Sequence, residues 1–497
     1  KDPANREEPQ CLAGADLTNI QYQKAVQLFG QAEKALGEVQ VQLYEQSASL
    51  LVQAVDKEPD HPQAPLALEK AAIALERTSR FESAAGLYER IIRDVGPLKA
   101  ETDERQVELD GILGNAYFRL AFNANRFFDF NRAVRNYLEL ANSQRFARSK
   151  DPDMAERREG ALINAAKIME YDQRYSEAAR YYERAAGTLK VPAERMAAYY
   201  RVAEMAYKRR SWAETVREMR RFIDRYGDDP AAGEMVVQAR WRIAEARKAQ
   251  GNQREYRSAL SSVVSAFAAS GQAAGSFAAE YAAQAKFILV DDGVEAFEKF
   301  KVTAKKPPSL KAYVDGVSAQ IDSGAREATQ RNEAYDAVSV YRRPSWSVAA
   351  LVRKGRIYEI LAKAVLDTPF VVPTDMKKQM AKLPDYARED IQIQIEERIR
   401  QLLDDKVRPI ECFAVANYAL AARAARVGAI DNEFTQQAIA RLNAYGDERI
   451  GECIAERQAQ DASFGGYQPG EFTRAPRGVL LPMPSGVATP GLSTEVE

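Results

Sequence analysis

Few residues of this chain have a type and spacing that would do chemistry. Asp291-Asp292 and Asp404-Asp405 are the first candidates, since paired carboxyls can hold a metal ion or divide acid and base work. Both pairs fall in helical sequence, where surface charge is the plainer reading, and nothing around them suggests the small-molecule pocket such chemistry needs. The single histidine, His61, stands in EPDHPQAP between helical stretches, so a histidine-rich metal site cannot be assembled. Cys11, Cys412 and Cys453 are too few for a disulfide scaffold, and the odd count leaves at least one thiol free or linked elsewhere. The helices carrying Cys412 and Cys453 can form one hairpin, which allows a bridge; that bridge would favour an oxidising compartment. Cys-x-x-Cys, His-Glu-x-x-His, Gly-x-x-x-x-Gly-Lys and Gly-x-Ser-x-Gly patterns are absent, and the glycines of AASGQAAGS form no dinucleotide fingerprint. The chain is therefore expected to be no enzyme and to use no cofactor or metal. A helical hydrolase or peptidoglycan-processing enzyme is the catalytic alternative, but it would need a separate folded domain for its glutamate.

The other chemistry to weigh is recognition of nucleic acid. YKRRSWAETVREMRRFIDR, residues 207–225, sets arginines and a lysine beside Tyr207 and Trp212. A repeat protein that reads RNA base by base needs the same face positions in every unit, and the neighbouring units lack these arginines. A solvated face or a patch for an acidic partner fits better, and no nucleic acid is expected. Overall charge agrees, with 70 basic residues against 71 acidic ones.

The elements that must position any such group are helices. In RYSEAARYYERAA, residues 174–186, Tyr175, Ala178, Tyr182 and Ala185 fall on one stripe of a 3.6-residue period. The same offsets recur in Phe81, Ala84, Tyr88 and Ile91, in Phe130, Ala133, Tyr137 and Leu140, in Trp212, Thr215, Met219 and Phe222, and in Tyr256, Ala259, Val263 and Ala266. Each stripe follows a helix with a small-residue face, such as ALINAAKIMEYDQR. Neither helix of such a pair can bury both its faces alone, so pairs must stack, with the aromatics as core.

On these residues the chain resembles the tetratricopeptide-repeat superfamily, most closely at Ala71, Ala72, Phe81, Ala84 and Tyr88 and at Ala165, Ala166, Tyr175, Ala178 and Tyr182. The resemblance implies an all-α, right-handed superhelical solenoid of antiparallel helix pairs, here with irregular repeats. It also implies a protein-protein interaction scaffold whose first helices line the inner surface. Carrying that register over gives Lys167, Glu170, Tyr200, Glu204 and Tyr207 as partner-binding candidates. Tyr200 and Tyr207 would hold an apolar side chain while Lys167 and Glu204 anchor backbone or charge.

The expected organisation is an N-terminal pair or cap over residues 1–60, broken near Gly37 or Ser47, and a repeat array over 61–303. More divergent helices follow over 304–459. There 369–385 reads as a proline-punctuated connector with one short helix, and turns are expected at Arg408-Pro409 and at 428–432. Within 340–456, the runs YRRPSWSVAALVRKGRIYEILAKA, RPIECFAVANYALAARAAR and IDNEF are similar to repeat proteins of the myxobacterial gliding machinery in the cell envelope. That likeness covers about a quarter of the chain and implies a scaffold in a multiprotein envelope complex, periplasmic or associated with the outer membrane. Residues 460–497 form a Gly/Pro-rich tail without helical period. Its VLLPMP, 479–484, is apolar enough to lie in a groove of its own chain or a neighbour, although draping over the last helices as a cap is the plainer reading. No run reaches the ~18 apolar residues of a membrane span. KDPANREEPQ lacks the features of a signal peptide, and a chain starting at Lys1 is expected to be missing a processed or uncloned leader, which leaves the compartment open, the cytoplasm included.

Overall fold

The computed structural model describes residues 14–304 and 307–472, all helix and connecting turn among them. Cys11 and the 479–484 segment lie outside the described residues. Contacts divide the chain into two units, Lys1–Glu218 and Met219–Glu497, with the division inside one helix. The change of sequence texture near residue 304 falls within the second unit.

The first unit holds α1 (Gly14–Ala32), α2 (Gly37–Lys57), α3 (Ala64–Arg77), α4 (Phe81–Val95), α5 (Asp103–Arg126), α6 (Phe130–Asn142), the single turn α7 (Gln144–Ala147), α8 (Met154–Tyr171), α9 (Tyr175–Thr188), α10 (Pro192–Lys208) and the start of α11 (Trp212–Tyr226). Consecutive helices pack as antiparallel pairs, and each pair covers the next around one continuous core. The starts follow from the sequence. The Thr102 and Asp129 side chains accept from the N–H groups of Arg105 and Arg132, while Pro65 and Pro192 open α3 and α10 without losing a bonded N–H. The expected break in the first helical stretch falls at Gly37, whose φ of +64° suits glycine.

One turn recurs within the pairs. Ser79, Phe128, Gln173 and Arg210 each take a left-handed conformation with φ of 57–60°, and the next residue's N–H reaches back to the carbonyls of Leu75, Ala124, Met169 and Ala206. This is the Schellman closure, which glycine usually serves because a side chain strains the backbone there. Gly251 in the second unit does serve it, with Asn252 N–H bonded to the Arg247 carbonyl.

This turn fixes the register and corrects two expectations. Counted from the first residue of the second helix, offsets 3, 7 and 10 are buried: Ala84, Tyr88 and Ile91 are each 0% exposed. The leading aromatics Phe81, Phe130, Tyr175 and Trp212 are only half-buried, because the first residue of the helix sits at the rim of the pair. In the fifth pair the second helix begins at Gln253, so its stripe is Tyr256, Leu260 and Val263; the expected Tyr256-led register is late by one turn.

The second unit contains the rest of α11, then α12 (Gly233–Ala249), α13 (Gln253–Ala269), α14 (Phe277–Phe297), α15 (Leu310–Ser339), α16 (Pro344–Leu366), α17 (Thr374–Met380), α18 (Asp385–Val427), α19 (Glu433–Tyr445) and α20 (Asp447–Gln460). The segment that opens the divergent stretch forms one continuous helix, α15, of 30 residues. No turn forms at Arg408-Pro409 either: α18 runs through Pro409 for 43 residues. Proline removes one helical N–H and frees the carbonyl four residues back. That residue, Asp405, and Pro409 are both exposed, on the side of the helix open to solvent, while Val407 and Ile410 are buried. Close approach of α16 and α18 depends on Gly355, where a Cβ would stand 2.8 Å from the Tyr418 ring.

Cys412 on α18 and Cys453 on α20 form a disulfide inside an apolar cluster. Residues 464–472, the described start of the tail, lie over these helices. Arg423 donates to the carbonyls of Phe464 (2.7 Å) and Gly466 (2.8 Å) and to the Glu471 carboxylate (2.8 Å), and Phe472 is 2% exposed.

Candidate interaction surface

The acid pairs take structural partners or stand in water. Asp291 Oδ1 accepts from Tyr335 Oη (2.8 Å) and Arg353 Nε (2.7 Å), Asp292 pairs with Arg257, and Asp404 and Asp405 are exposed. His61 serves packing: its ring lies 4.8 Å from Tyr22, one nitrogen meets Asn19 Oδ1 at 3.1 Å and the other accepts from Gln63 N–H. Among the described residues no group of three or more His, Cys, Asp or Glu is placed to hold a metal ion. A cavity of about 740 Å³ opens between α14, α15 and α16. One carboxylate lines it, Glu327, and that group accepts from Arg331 Nη2 at 2.7 Å and from Arg331 Nε at 3.1 Å. Paired-carboxylate chemistry is therefore not assembled there.

In the first unit, polar side chains tie first helix α3 to α5 and first helix α8 to α10. Glu69 on α3 accepts from Asn115 on α5 at 2.8 Å, and Glu76 accepts from Arg119 (3.1 Å) and Asn123 (2.7 Å). Two pairs further on, Glu170 of α8 accepts from Lys208 Nζ (2.6 Å) and Arg201 Nη1 (3.1 Å) of α10, and from Tyr182 Oη of α9 (2.7 Å). Burial alone would raise both carboxyls. It prevails at Glu69, where the Asn115 hydrogen bond offsets only part of it. At Glu170 burial is outweighed by Arg201, Lys208 and Tyr182, and the carboxyl is held below its usual range. Lys167 is half-buried; desolvation, then the Arg201 charge, lowers its pKa.

The five candidates do not share one environment. Lys167 and Tyr207 are half-buried, with Tyr207 edge-on to Trp212 at 5.9 Å. Glu170 is the centre of the cluster just described. Tyr200 and Glu204, expected to stand outside the packing stripe, are each 6% exposed and joined by a 2.9 Å hydrogen bond. The register misplaces these two because an (i, i+4) tyrosine-glutamate pair satisfies its own polar atoms and packs inside. Sequence reasoning also missed Arg201, whose contact with Glu170 depends on the spacing of successive first helices. In the basic cluster of 207–225, Lys208, Arg209 and Arg217 pair with Glu170, Glu214 and Glu218, so much of its charge is neutralised locally.

No family model matches the chain, and no curated protein matches it. Among solved structures it is similar to the apo form of RapI (10% identity, 83% of this chain and 99% of that one, TM-score 0.32). It is similar also to BtubC from P. vanneervenii (15% identity, 52% and 93%, TM-score 0.28). A third is a signal-transduction ATPase with a tetratricopeptide-repeat sensor from Pyrococcus horikoshii (13% identity, 86% and 56%, TM-score 0.26). Likenesses at this level carry no argument; the fold rests on the packing above.

Proposed function

We propose that the protein is a non-catalytic scaffold that takes a protein partner on the first-helix face of its first unit. The observation that carries this reading is the set of ties through Glu69, Glu76 and Glu170, which hold neighbouring first helices in fixed register. A surface ordered before binding loses less entropy when a partner arrives. Lys167 and Tyr207 are the candidates that keep accessible surface, while Tyr200 and Glu204 are buried and bonded to each other. A partner captured from the native source should bind a Lys167→Glu, Tyr207→Ala variant at least ten-fold more weakly. Undiminished affinity with an unchanged circular dichroism spectrum would remove the assignment.

We propose further that the scaffold works in the cell envelope, within a multiprotein assembly of the motility kind. Two observations support this: the Cys412–Cys453 disulfide, a bond that oxidising compartments preserve, and the resemblance carried by residues 340–456. Protein taken from its native source under alkylating conditions should show both cysteines blocked until reduction. Direct alkylation of both would place the chain in a reducing compartment.

A further inference from the structure

The turn edge of the first unit carries aromatic rings that the packing does not use. Phe127 is 62% exposed, Phe128 74%, Tyr171 72% and Phe122 42%. They are continuous with the half-buried leading aromatics: Phe81 meets Phe127 at 6.1 Å, Phe130 meets Phe128 at 6.1 Å, and Tyr171 meets Phe130 at 5.6 Å. One aromatic ridge thus crosses the tips of α3/α4, α5/α6 and α8/α9. Exposed apolar surface of this continuity marks an interaction site in a water-borne protein. Phe128 adds a second sign. It occupies the left-handed position of its turn, where glycine would relieve backbone strain and remove an exposed ring, so the closure of the helix does not explain a phenylalanine there.

Charge around the ridge indicates what it meets. The four turns read RTSR (77–80), RFFD (126–129), YDQR (171–174) and KRRS (208–211), with seven basic residues against two acidic ones. Arg126 lies over the rings of Phe81 (4.3 Å) and Phe122 (5.9 Å), and Lys208 lies 5.9 Å from the Tyr175 ring. Four of these seven cations pair locally, Arg80 with Glu45, Arg174 with Glu177, Lys208 with Glu170 and Arg209 with Glu214. Among the described residues no carboxylate pairs with Arg77, Arg126 or Arg210. Phe127 and Phe128 stand on a hairpin tip, in the turn between α5 and α6, and Tyr171 ends α8. Protruding aromatics flanked by cations match the interface of an anionic bilayer, where rings sit at headgroup depth and arginines meet phosphate.

We propose that this edge docks the first unit on an anionic lipid surface, with Phe127 and Phe128 entering the headgroup region and Arg77, Arg126 and Arg210 meeting lipid phosphates. No helix among the described residues is long and apolar enough to cross a membrane, so contact here would be peripheral.

The test is co-sedimentation of the full chain with phosphatidylcholine vesicles and with vesicles containing phosphatidylglycerol. The protein should pellet with the anionic vesicles and at least five-fold less with the neutral ones, with binding falling as salt rises. A Phe127→Ser, Phe128→Ser variant, altered only at exposed side chains, should keep its circular dichroism and lose binding at least five-fold. A Phe128→Trp variant should show a blue-shifted emission on the anionic vesicles. Failure to pellet with either vesicle, or pelleting of the serine variant equal to that of the parent, overturns the proposal. So would a Phe128→Trp emission that shifts with a soluble poly(Glu-Tyr) copolymer but not with vesicles, which would identify an acidic protein segment as the occupant. Self-association that depends on Phe127 and Phe128 without vesicle binding would identify a second copy instead.

Discussion

Glu170 and Glu69 are carboxylates on first helices of the same unit, and burial acts on both; their partners set them apart. At Glu170 the cationic and phenolic donors hold the folded-state pKa below the usual 4.5, so its interactions stabilise the fold above that pH and lose the effect as pH falls through the lowered value. At Glu69 the folded-state pKa is raised, so the protonated form suits the fold, and that advantage disappears as pH rises through the raised value. Thermal melts should therefore show opposite signs. Glu170→Gln should lower the midpoint at pH 7, with the difference beginning to close only as pH falls below 4.5, while Glu69→Gln should raise it at pH 7 and converge with the parent at acid pH. Equal shifts of one sign would show that the partners, and not burial, have been misjudged at one site. The offsets of the buried stripe were legible in the sequence because burial follows the 3.6-residue period wherever a helix is covered. Half-burial of Phe81 and Tyr175 was not, since their spacing is the same as that of a covered residue and only the turn shows that they lie at its rim.

Helices form here when a buried face outweighs a local breaker. Pro409 suggested a turn because proline ends most helices, yet in α18 it falls at an exposed position while Val407 and Ile410 beside it remain buried. Threonine, serine and asparagine caps open helices here, at Thr102, Ser276 and Asn432, because they satisfy N–H groups the helix itself leaves open. The contact of α16 with α18 has the opposite vulnerability. A Gly355→Ala methyl would meet three ring atoms of Tyr418 at 2.8–3.0 Å, and that ring is itself buried. The substitution should destabilise the second unit by about 1 to 3 kcal/mol, read as a lower denaturant midpoint with unchanged m-value. No change would mean that the two helices separate at little cost.

At the scale of the molecule, the repeat is legible in sequence and the surfaces are not. Stacked hairpins follow from recurring stripes, since an amphipathic pair without neighbours leaves apolar surface in water. Uneven spacing hid the register: the left-handed turn residues fall at 79, 128, 173, 210 and 251, and no fixed period predicts them. The candidate surface depends on contacts between successive first helices, which join residues 31 to 47 positions apart and leave no periodic mark. The division at Glu218–Met219, inside a continuous helix, likewise has no signal of composition. The central claim, that a partner occupies the first-helix face, is tested most directly by photo-cross-linking in the native source. Benzoylphenylalanine would be placed in turn at Lys167, Tyr207 and Glu183, the last an exposed residue of second helix α9. The account predicts covalent adducts to another protein from positions 167 and 207 and none from 183; adducts from 183 alone, or from no position, would contradict it.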